Sequence, residues 1–208
     1  MIIKQFVVGP LEVNCWIAGD ETTREAIVID PGDEPDRILD WIKQKGLKVK
    51  YLVCTHGHFD HVGALPELKN FFTEAEILLH KDELPVYERA GDMGRLWGFS
   101  LEKLPNPDRF VEDGDEIKIS GICAKVIHTP GHSPGGICLL NDGILFSGDT
   151  LFAGSIGRSD LPGGDYNILI NSLKKLSGLS DSITVHAGHG PSSTIGQEKS
   201  SNPFMSGI

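Results

Sequence analysis

Residues 55–61 read Thr-His-Gly-His-Phe-Asp-His and place four potential metal ligands within six residues: His56, His58, Asp60 and His61. Imidazole and carboxylate ligands suit Zn²⁺, Fe or Mn²⁺ better than Ca²⁺ or Mg²⁺. A solvated polar loop is the alternative, but such a loop does not require this density of ligands. We therefore expect a metal site here, and the fold must bring distant parts of the chain to this segment to complete it.

The residues just before the cluster, Lys50–Thr55, are mostly apolar and β-prone, which predicts a buried strand. Alternate residues of an extended chain point the same way, so His56 and His58 should project together. Asp60 and His61 follow at a switch from strand to helix, where side chains can point elsewhere. Because one tetrahedral ion cannot easily take four ligands from so short a segment, we expect two adjacent ions to share them.

Three further candidate ligands lie in the second half of the chain, each in a glycine-containing loop after an apolar run: His132, Asp149 and His189. Glycine lets neighbouring backbone approach closely, which helps such loops to meet. If the strands before these loops run in the same direction, all three side chains emerge at one edge of a sheet.

The remaining histidines and the cysteines show no comparable pattern. We expect three histidines to be ordinary surface or core residues: His80, His128 and His186. The four cysteines form no Cys-x-x-Cys pair and lie in apolar runs: Cys15, Cys54, Cys123 and Cys138. They are expected to be reduced, buried thiols, which agrees with a reducing compartment.

Composition and charge limit the classes of protein to consider. The chain has 208 residues, 39% of them hydrophobic, which is enough for a single domain over residues 1–208 with an ample core. Its formal net charge is −10 and it contains no basic run, so nucleic acid is disfavoured as a partner. No apolar run approaches about 18 residues and no signal segment is visible, so we expect a cytoplasmic protein without membrane partners.

The order of predicted elements suggests two similar halves. Strand-like runs fill the first 30 residues, and a helix follows at 34–45. The second half repeats strands and then a helix at 166–176, whose apolar face is predicted to contain Ile168, Leu169, Leu173 and Leu176. Two mixed sheets packed face to face with helices outside would bury every apolar face, which predicts an α/β protein of the αββα sandwich type.

Two segments are predicted to lack regular structure. Residues 91–114 are rich in Gly, Pro and Asp and predict an irregular connection that overhangs a pocket. The last predicted strand covers residues 182–185, and the residues after it predict a loop-rich tail.

These residues resemble the metallo-β-lactamase superfamily, whose mark is His-x-His-x-Asp-His followed by a separate His, Asp and His. The match spans almost the whole chain and contains His56, His58, Asp60, His61, His132, Asp149 and His189. The resemblance implies an αββα sandwich with a dinuclear centre in a groove at the sheet edge. It also implies three sets of ligands: His56, His58 and His132 on one metal, Asp60, His61 and His189 on the other, and Asp149 bridging them.

Within the superfamily the chain is most similar to the glyoxalase II (hydroxyacylglutathione hydrolase) group, especially its short bacterial members. Shared segments include Val28–Gly32, Thr129–Gly135 and Ser147–Phe152. The helical segment with which full-length members hold glutathione has no counterpart here, so the thiol carrier stays open. Arg158 lies where the group has a basic residue near the substrate, and it is a candidate substrate contact. True β-lactamases of this fold often place a cysteine on the second metal. Here Asp149 stands in the bridging place, which argues against penicillin hydrolysis.

The resemblance implies hydrolysis of a small-molecule thioester such as S-lactoylglutathione. A hydroxide that bridges two divalent ions, Zn²⁺ first with Fe or Mn as alternatives, would attack the carbonyl, with Asp60 and Asp149 as catalytic carboxylates. One alternative is a persulfide dioxygenase with a single Fe²⁺ on His56, His132 and Asp149. A lactonase or other ester hydrolase and a non-catalytic metal-binding domain are further alternatives. The acyl group and the oligomeric state stay open.

Overall fold

The computed structural model describes all 208 residues, Met1–Ile208. Its first sheet has six strands that lie in chain order: β1 Ile2–Val8, β2 Val13–Gly19, β3 Glu25–Ile29, β4 Lys48–Val53, β5 Glu76–His80 and β6 Arg109–Val111. The first three strands pair in antiparallel fashion, and β3 to β6 pair in parallel. The carboxyl ends of β3, β4 and β5 therefore meet at one edge of this sheet.

The second half of the chain forms the other sheet and a small hairpin. Its strands are β7 Glu116–Ile119, β8 Ile122–His128, β9 Ile137–Asn141, β10 Ile144–Gly148, the hairpin strands β11 Leu151–Phe152 and β12 Ser155–Ile156, then β13 Thr184–Ala187 and β14 Ser193–Thr194. The sheet order is β14-β13-β10-β9-β8-β7. Strands β10 and β13 are parallel, and β8 has the same direction as β10 because both are antiparallel to β9. The carboxyl ends of β8, β10 and β13 therefore also share one edge.

Seven α-helices complete the chain: α1 Pro35–Lys45, α2 Phe59–Val62, α3 Leu65–Phe71, α4 Leu84–Glu88, α5 Ala90–Leu96, α6 Tyr166–Ser177 and α7 Ile195–Ser201. A 3₁₀ turn at Lys81–Glu83 precedes α4. The predicted helix at 34–45 is thus confirmed, and it ends at Gly46, whose φ of 61° is one that glycine adopts at little cost. No helix combines the length and apolar character that crossing a bilayer requires.

Three apolar cores define the layers. The middle core joins the facing sides of the two sheets, for example Ile27 and Val53 from the first with Val126 and Phe146 from the second. A second core packs α1 and the short helices on the outer face of the first sheet. A third packs α6 and the C-terminal residues on the outer face of the second sheet, where Leu173 is fully buried. The predicted αββα sandwich is therefore confirmed.

Two segments that were predicted to be irregular contain regular structure. The 91–114 connection includes most of α5 and all of β6. Gly94 is tolerated in α5 because its missing side chain lets Leu101 and Phe59 pack against the helix backbone. The predicted loop-rich tail contains β14 and α7. Thr194 caps α7 by accepting a hydrogen bond from the backbone N–H of Gln197 (3.1 Å), a pattern the sequence carries as Thr-x-x-Gln.

Two predicted buried side chains are exposed. Ile168 is 44% exposed, because the buried face of α6 contains Leu169, Leu173, Leu176 and the small Ser172 instead. Cys123 is an exposed thiol, because residues alternate along β8 and Ile122 and Ala124 occupy the inward side. The other three cysteines are buried and free, as predicted.

Candidate metal centre

The edge where both sheets present the carboxyl ends of their strands carries all seven predicted ligands. His56 and His58 follow β4, and Asp60 and His61 lie in the first turn of α2. The other three follow β8, β10 and β13: His132, Asp149 and His189. The strand directions that were assumed for these loops are the ones observed, and the side chains converge from both sheets.

His56, His58 and His132 form a first ligand trio. The distance from His132 Nε2 to His58 Nδ1 is 2.9 Å, and the distance from His132 Nε2 to His56 Nε2 is 3.3 Å. Nitrogen ligands about 2.1 Å from a tetrahedral ion lie about 3.4 Å from each other, so these three nitrogens have a spacing that one cation can share. The rings of His56 and His58 stand almost perpendicular to that of His132. The three rings therefore do not stack face to face, and their nitrogen atoms can point towards a common centre.

Asp60, His61 and His189 form a second ligand trio. The Nε2 atoms of His61 and His189 are 3.2 Å apart, and Asp60 Oδ2 lies 3.8 Å from the first and 3.6 Å from the second. These atoms also lie close enough together to be ligands of one ion. The structure thus groups these side chains as the resemblance implies, and their role as metal ligands stays a prediction.

Asp149 lies between the two trios. Its Oδ1 is 3.4 Å from His61 Nε2, and its Oδ2 is 3.6 Å from His132 Nε2 and 3.7 Å from His189 Nε2. Asp149 Oδ1 is buried and has no hydrogen-bond partner. A buried carboxylate oxygen without a partner is costly, and a bound cation supplies the missing interaction. The residues present therefore fit a pair of divalent cations.

Two ring nitrogens that face away from the trios, on His132 and His61, have polar partners. His132 donates its Nδ1–H to the carbonyl oxygen of Arg158 (2.7 Å), and His61 donates its Nδ1–H to Asp30 (3.1 Å). These bonds fix the tautomer and leave Nε2 of each ring for a metal. Asp30 also accepts hydrogen bonds from the backbone N–H and the hydroxyl of Thr55, both 2.7 Å long. Asp30 therefore connects the end of β3 to the loop that carries His56 and His58.

The surroundings of His56 and His58 favour neutral imidazoles. Burial, and then the neighbouring ring of His132, lowers the pKa of His58 to about 4. Burial also lowers the pKa of His56 well below its usual value, with the nearby rings adding to the effect. Neutral imidazole is the form that binds a metal, so His56 and His58 are in the form that can bind a cation near neutral pH.

The second trio is dominated by negative charge. Burial by itself lowers the pKa of His61, but Asp149, Asp60 and Asp30 outweigh it and raise the pKa to about 10. Burial raises the pKa of Asp60, yet His61 and His189 hold it well below its usual value. The carboxylates thus favour positive charge at the second trio, which in the metal-free protein is a proton on His61. A divalent cation can take the place of that proton.

A groove of about 420 Å³ opens over both trios. Its polar floor consists of proposed ligands, and its walls are apolar: Leu11, Phe59, Met93, Trp97, Phe152, Ile156 and Leu161. Met93 and Trp97 come from α5 and the residue after it, so the 91–114 connection does border the pocket. Arg158 also lines the groove, where its guanidinium is paired with the carboxylate of Asp160 through two bonds of 2.8 Å.

Asn14 is a buried residue at the site to which the sequence analysis gave no role. Its side-chain amide donates hydrogen bonds to the carbonyl oxygens of Ala187 (3.0 Å) and Gly190 (2.8 Å). Its backbone N–H donates a hydrogen bond to the carbonyl oxygen of Gly188 (2.7 Å). These bonds hold the His189 loop against β2 of the other sheet. No local pattern identifies this role, because the contact joins residues 173 positions apart.

The remaining histidines lie outside this cluster. His186 stacks on Trp16, with ring centroids 4.2 Å apart, and its Nδ1 forms a hydrogen bond with the hydroxyl of Ser192. His80 and His128 stack on each other at 4.0 Å between the two sheets.

Comparison with known proteins agrees with this arrangement. The family model described as the metallo-beta-lactamase superfamily matches residues 8–189, a range that contains all seven proposed ligands. The hydroxyacylglutathione hydrolase GloC of Haemophilus influenzae is 40% identical, over 99% of this chain and 98% of that protein.

Two solved structures are similar over nearly their full length. The BLEG-1 B3 metallo-β-lactamase is 34% identical with a TM-score of 0.92, covering 99% of this chain and 100% of that one. TTHA1623 in a di-iron-bound form is 41% identical with a TM-score of 0.89, covering 97% of this chain and 99% of that one. Together with the family match, these similarities show that the chain belongs to the metallo-β-lactamase superfamily.

Proposed function

We propose that this protein is a metal-dependent hydrolase that cleaves a small-molecule thioester of the 2-hydroxyacylglutathione type. The observation that carries the proposal is the convergence of two ligand trios around Asp149, whose buried Oδ1 has no other partner. We assign one cation to His56, His58 and His132 and a second to Asp60, His61 and His189, with Asp149 shared. Zn²⁺ is the first expectation for their identity, with Fe or Mn as alternatives.

Two bound divalent cations would supply water of lowered pKa and a Lewis acid for the carbonyl oxygen. The protein's own residues supply the rest. Asp60 stays ionised because His61 and His189 lower its pKa, so its carboxylate can orient a nucleophile by accepting a hydrogen bond. The apolar side chains around the floor of the groove lower the local polarity, which strengthens electrostatic interactions there. No side chain has to act as a covalent nucleophile.

The choice of a thioester is supported by the walls of the groove and by the name of one relative. Seven hydrophobic side chains line the groove, and they fit the acyl chain and the sulfur of a thioester. GloC of Haemophilus influenzae, 40% identical, is named a hydroxyacylglutathione hydrolase. Arg158 is the proposed contact for an anionic group of the thiol carrier. The carrier has to compete with Asp160 for the guanidinium, because the two are paired.

The test is hydrolysis of S-lactoylglutathione by purified protein loaded with Zn²⁺, Mn²⁺ or Fe²⁺ in separate samples. We expect thioester cleavage that stops on chelation and returns when metal is added back. Asp149→Ala should abolish it, whereas Cys123→Ser, at an exposed thiol on β8, should leave it unchanged. Hydrolysis that survives both chelation and Asp149→Ala would contradict the proposal.

A persulfide dioxygenase is the second candidate. A subset of two histidines and one carboxylate is typical of single-Fe²⁺ oxygenases. Here His132 Nε2 lies 3.3 Å from His56 Nε2 and 3.6 Å from Asp149 Oδ2, so this subset is also assembled. The similarity to TTHA1623 in a di-iron-bound form makes iron a metal to test. Oxygen uptake on glutathione persulfide by the Fe²⁺-loaded protein, without thioester cleavage, would favour this candidate.

Other hydrolase substrates belong in the same panel. A lactone and a simple ester test the lactonase and esterase alternatives. A cephalosporin tests β-lactam hydrolysis, because the chain is 34% identical to the BLEG-1 B3 metallo-β-lactamase. The proposal expects the thioester to have the highest kcat/KM in this panel.

A further inference from the structure

Glu83 is a fully buried glutamate that belongs to neither ligand trio. It ends the 3₁₀ turn that follows β5, at the back of the loop that carries His56 and His58. Glutamate is almost never fully buried unless its carboxylate is paired, because burial of an unpaired charge is very costly. Its partners therefore indicate why it is there.

Both carboxylate oxygens of Glu83 accept hydrogen bonds from backbone N–H groups. Oε1 accepts from Gly57 (2.9 Å), and Oε2 accepts from Gly135 (2.6 Å). Gly57 lies between His56 and His58, and Gly135 is three residues after His132. One side chain thus connects the two loops that provide the first trio, and these loops come from different sheets.

The packing around Glu83 leaves these loops little freedom. A methyl group at Gly57 would lie 2.6 Å from the backbone nitrogen of Tyr87, and one at Gly135 would overlap the backbone of Glu83 itself. Both loops are therefore pressed against the Glu83–Tyr87 segment. The carboxylate of Glu83 therefore joins two loops whose backbones both lie against the segment that carries it.

We propose that Glu83 is a positioning residue that fixes the spacing of the His56–His58 loop and the His132 loop, and so preforms the first cation site. The inference rests on the proposed assignment of His56, His58 and His132 to one cation. The second trio has a different support, because Asp30 holds His61. Loss of the Glu83 contacts should therefore weaken one of two cation sites and leave the other intact.

The test uses Glu83→Gln in the full-length protein. The amide has nearly the same size, but its NH₂ group faces an N–H donor, so only one of the two bonds can remain. Zn²⁺ affinity at each site is measured by competition with a chromophoric chelator, and the number of ions per chain is counted by native mass spectrometry. Neither readout depends on hydrolysis of any substrate.

Glu198→Gln is the matched control. Glu198 is also fully buried, and its Oε2 accepts hydrogen bonds from the backbone N–H of Gly154 and from Asn202, both 2.8 Å long. The loop it holds carries no proposed ligand. The control therefore changes a buried, hydrogen-bonded glutamate elsewhere in the protein without touching a ligand loop.

We expect Glu83→Gln to weaken one of the two sites about 10- to 100-fold, the range typical of lost contacts outside the ligands, and to leave the other within about twofold. Glu198→Gln should leave both unchanged. If Glu83→Gln does not fold, as judged by circular dichroism, Glu83→Asp replaces it. The shorter carboxylate cannot reach both loops, so the same selective loss is expected.

Three outcomes would overturn the inference: both sites unchanged in the folded Glu83 variant, both weakened equally, or the same loss in Glu198→Gln. A wild-type protein that binds two ions but does not cleave thioesters would refute the proposed function alone. The two failures are therefore distinguishable.

Discussion

Asp30 determines how His61 presents its ring to the second trio. Its carboxylate accepts from His61 Nδ1 (3.1 Å) and from both donors of Thr55 (2.7 Å each), and it is fully buried. We predict that Asp30→Asn lowers metal affinity at one site by about 10- to 100-fold, because the amide cannot accept all three bonds. Isothermal titration with Zn²⁺ measures this, and Asp36→Asn on the exposed side of α1 is the control. Unchanged titration curves for Asp30→Asn would contradict the role assigned to it.

Gly188 is a glycine because two proposed ligands occupy the space of a side chain. A methyl group there would overlap Asp149 Oδ1 and lie 2.8 Å from His61 Cε1. Gly188→Ala should therefore displace Asp149 and reduce bound metal to one ion per chain or fewer, as counted by elemental analysis. Gly178→Ala, where a methyl group meets nothing closer than 3.5 Å, should retain full metal content. Two ions per chain in Gly188→Ala would show that Asp149 tolerates the displacement.

At this scale the sequence predicted the dense ligand cluster better than its supports. Four potential ligands within six residues indicate a metal site by their density alone, whereas a single Asp30 or Glu83 does not differ from any other acidic residue in the sequence. Their roles depend on partners that are distant in the sequence. Thr55 lies 25 positions from Asp30, and Gly57 lies 26 positions from Glu83. Only the folded backbone brings these donors to them.

At the scale of elements, α6 shows how a helix is fixed by one row of side chains. Leu169 is fully buried, while the adjacent Ile168 is 44% exposed. We predict that Leu169→Ala lowers the free energy of unfolding by about 2–5 kcal/mol, because it leaves a cavity at a fully buried position. Ile168→Ala should change it by no more than about 0.5 kcal/mol. Urea denaturation followed by circular dichroism gives both values, and equal losses would mean that the buried face of α6 is assigned wrongly.

The helices that the sequence analysis missed were hidden for different physical reasons. Glycine is typical of a helix break, but Gly94 is required in α5 for the close approach of Leu101. The start of α7 was visible in principle, since Thr194 and Gln197 are spaced as a capping pair. Long elements with a strong apolar periodicity, such as α1, were predicted almost to the residue, because the spacing of their apolar side chains shows which face is buried.

At the scale of the whole molecule, His80 and His128 form a stacked pair between the two sheets, one from β5 and the other from β8, with ring centroids 4.0 Å apart. Burial, and then the neighbouring His128, lowers the pKa of His80 below its value in the unfolded chain, which is about 6.5. The folded state therefore binds a proton on His80 less readily than the unfolded state does. The stability that this residue contributes should be present above about pH 6.5 and be lost as the pH falls below it.

The measurement is urea unfolding of the metal-free protein at pH 5.5 and pH 7.5, compared between wild type and His80→Phe. Phenylalanine keeps a flat ring in the stack and cannot titrate. We expect the wild type to lose more stability between the two pH values than the variant does. If the free energy of unfolding has the same pH dependence in both proteins, protonation of His80 does not affect the stability of the fold.

The layered architecture was predictable because alternation and helical periodicity show which faces must be buried. The topology within each sheet was not, because strand partners such as β10 and β13 are separated by a hairpin and a helix. The convergence of His132, Asp149 and His189 was consequently an expectation that depended on strand direction. It follows in the structure from β8, β10 and β13 ending at the same edge.

A crystal structure of the metal-loaded protein with anomalous scattering data is the most direct test of whether seven side chains from both sheets hold a pair of cations. We predict two peaks per chain at about 2.0–2.2 Å from their ligands. One should contact His56, His58 and His132, the other Asp60, His61 and His189, with Asp149 reaching both. A single peak, or two peaks away from these residues, would contradict it.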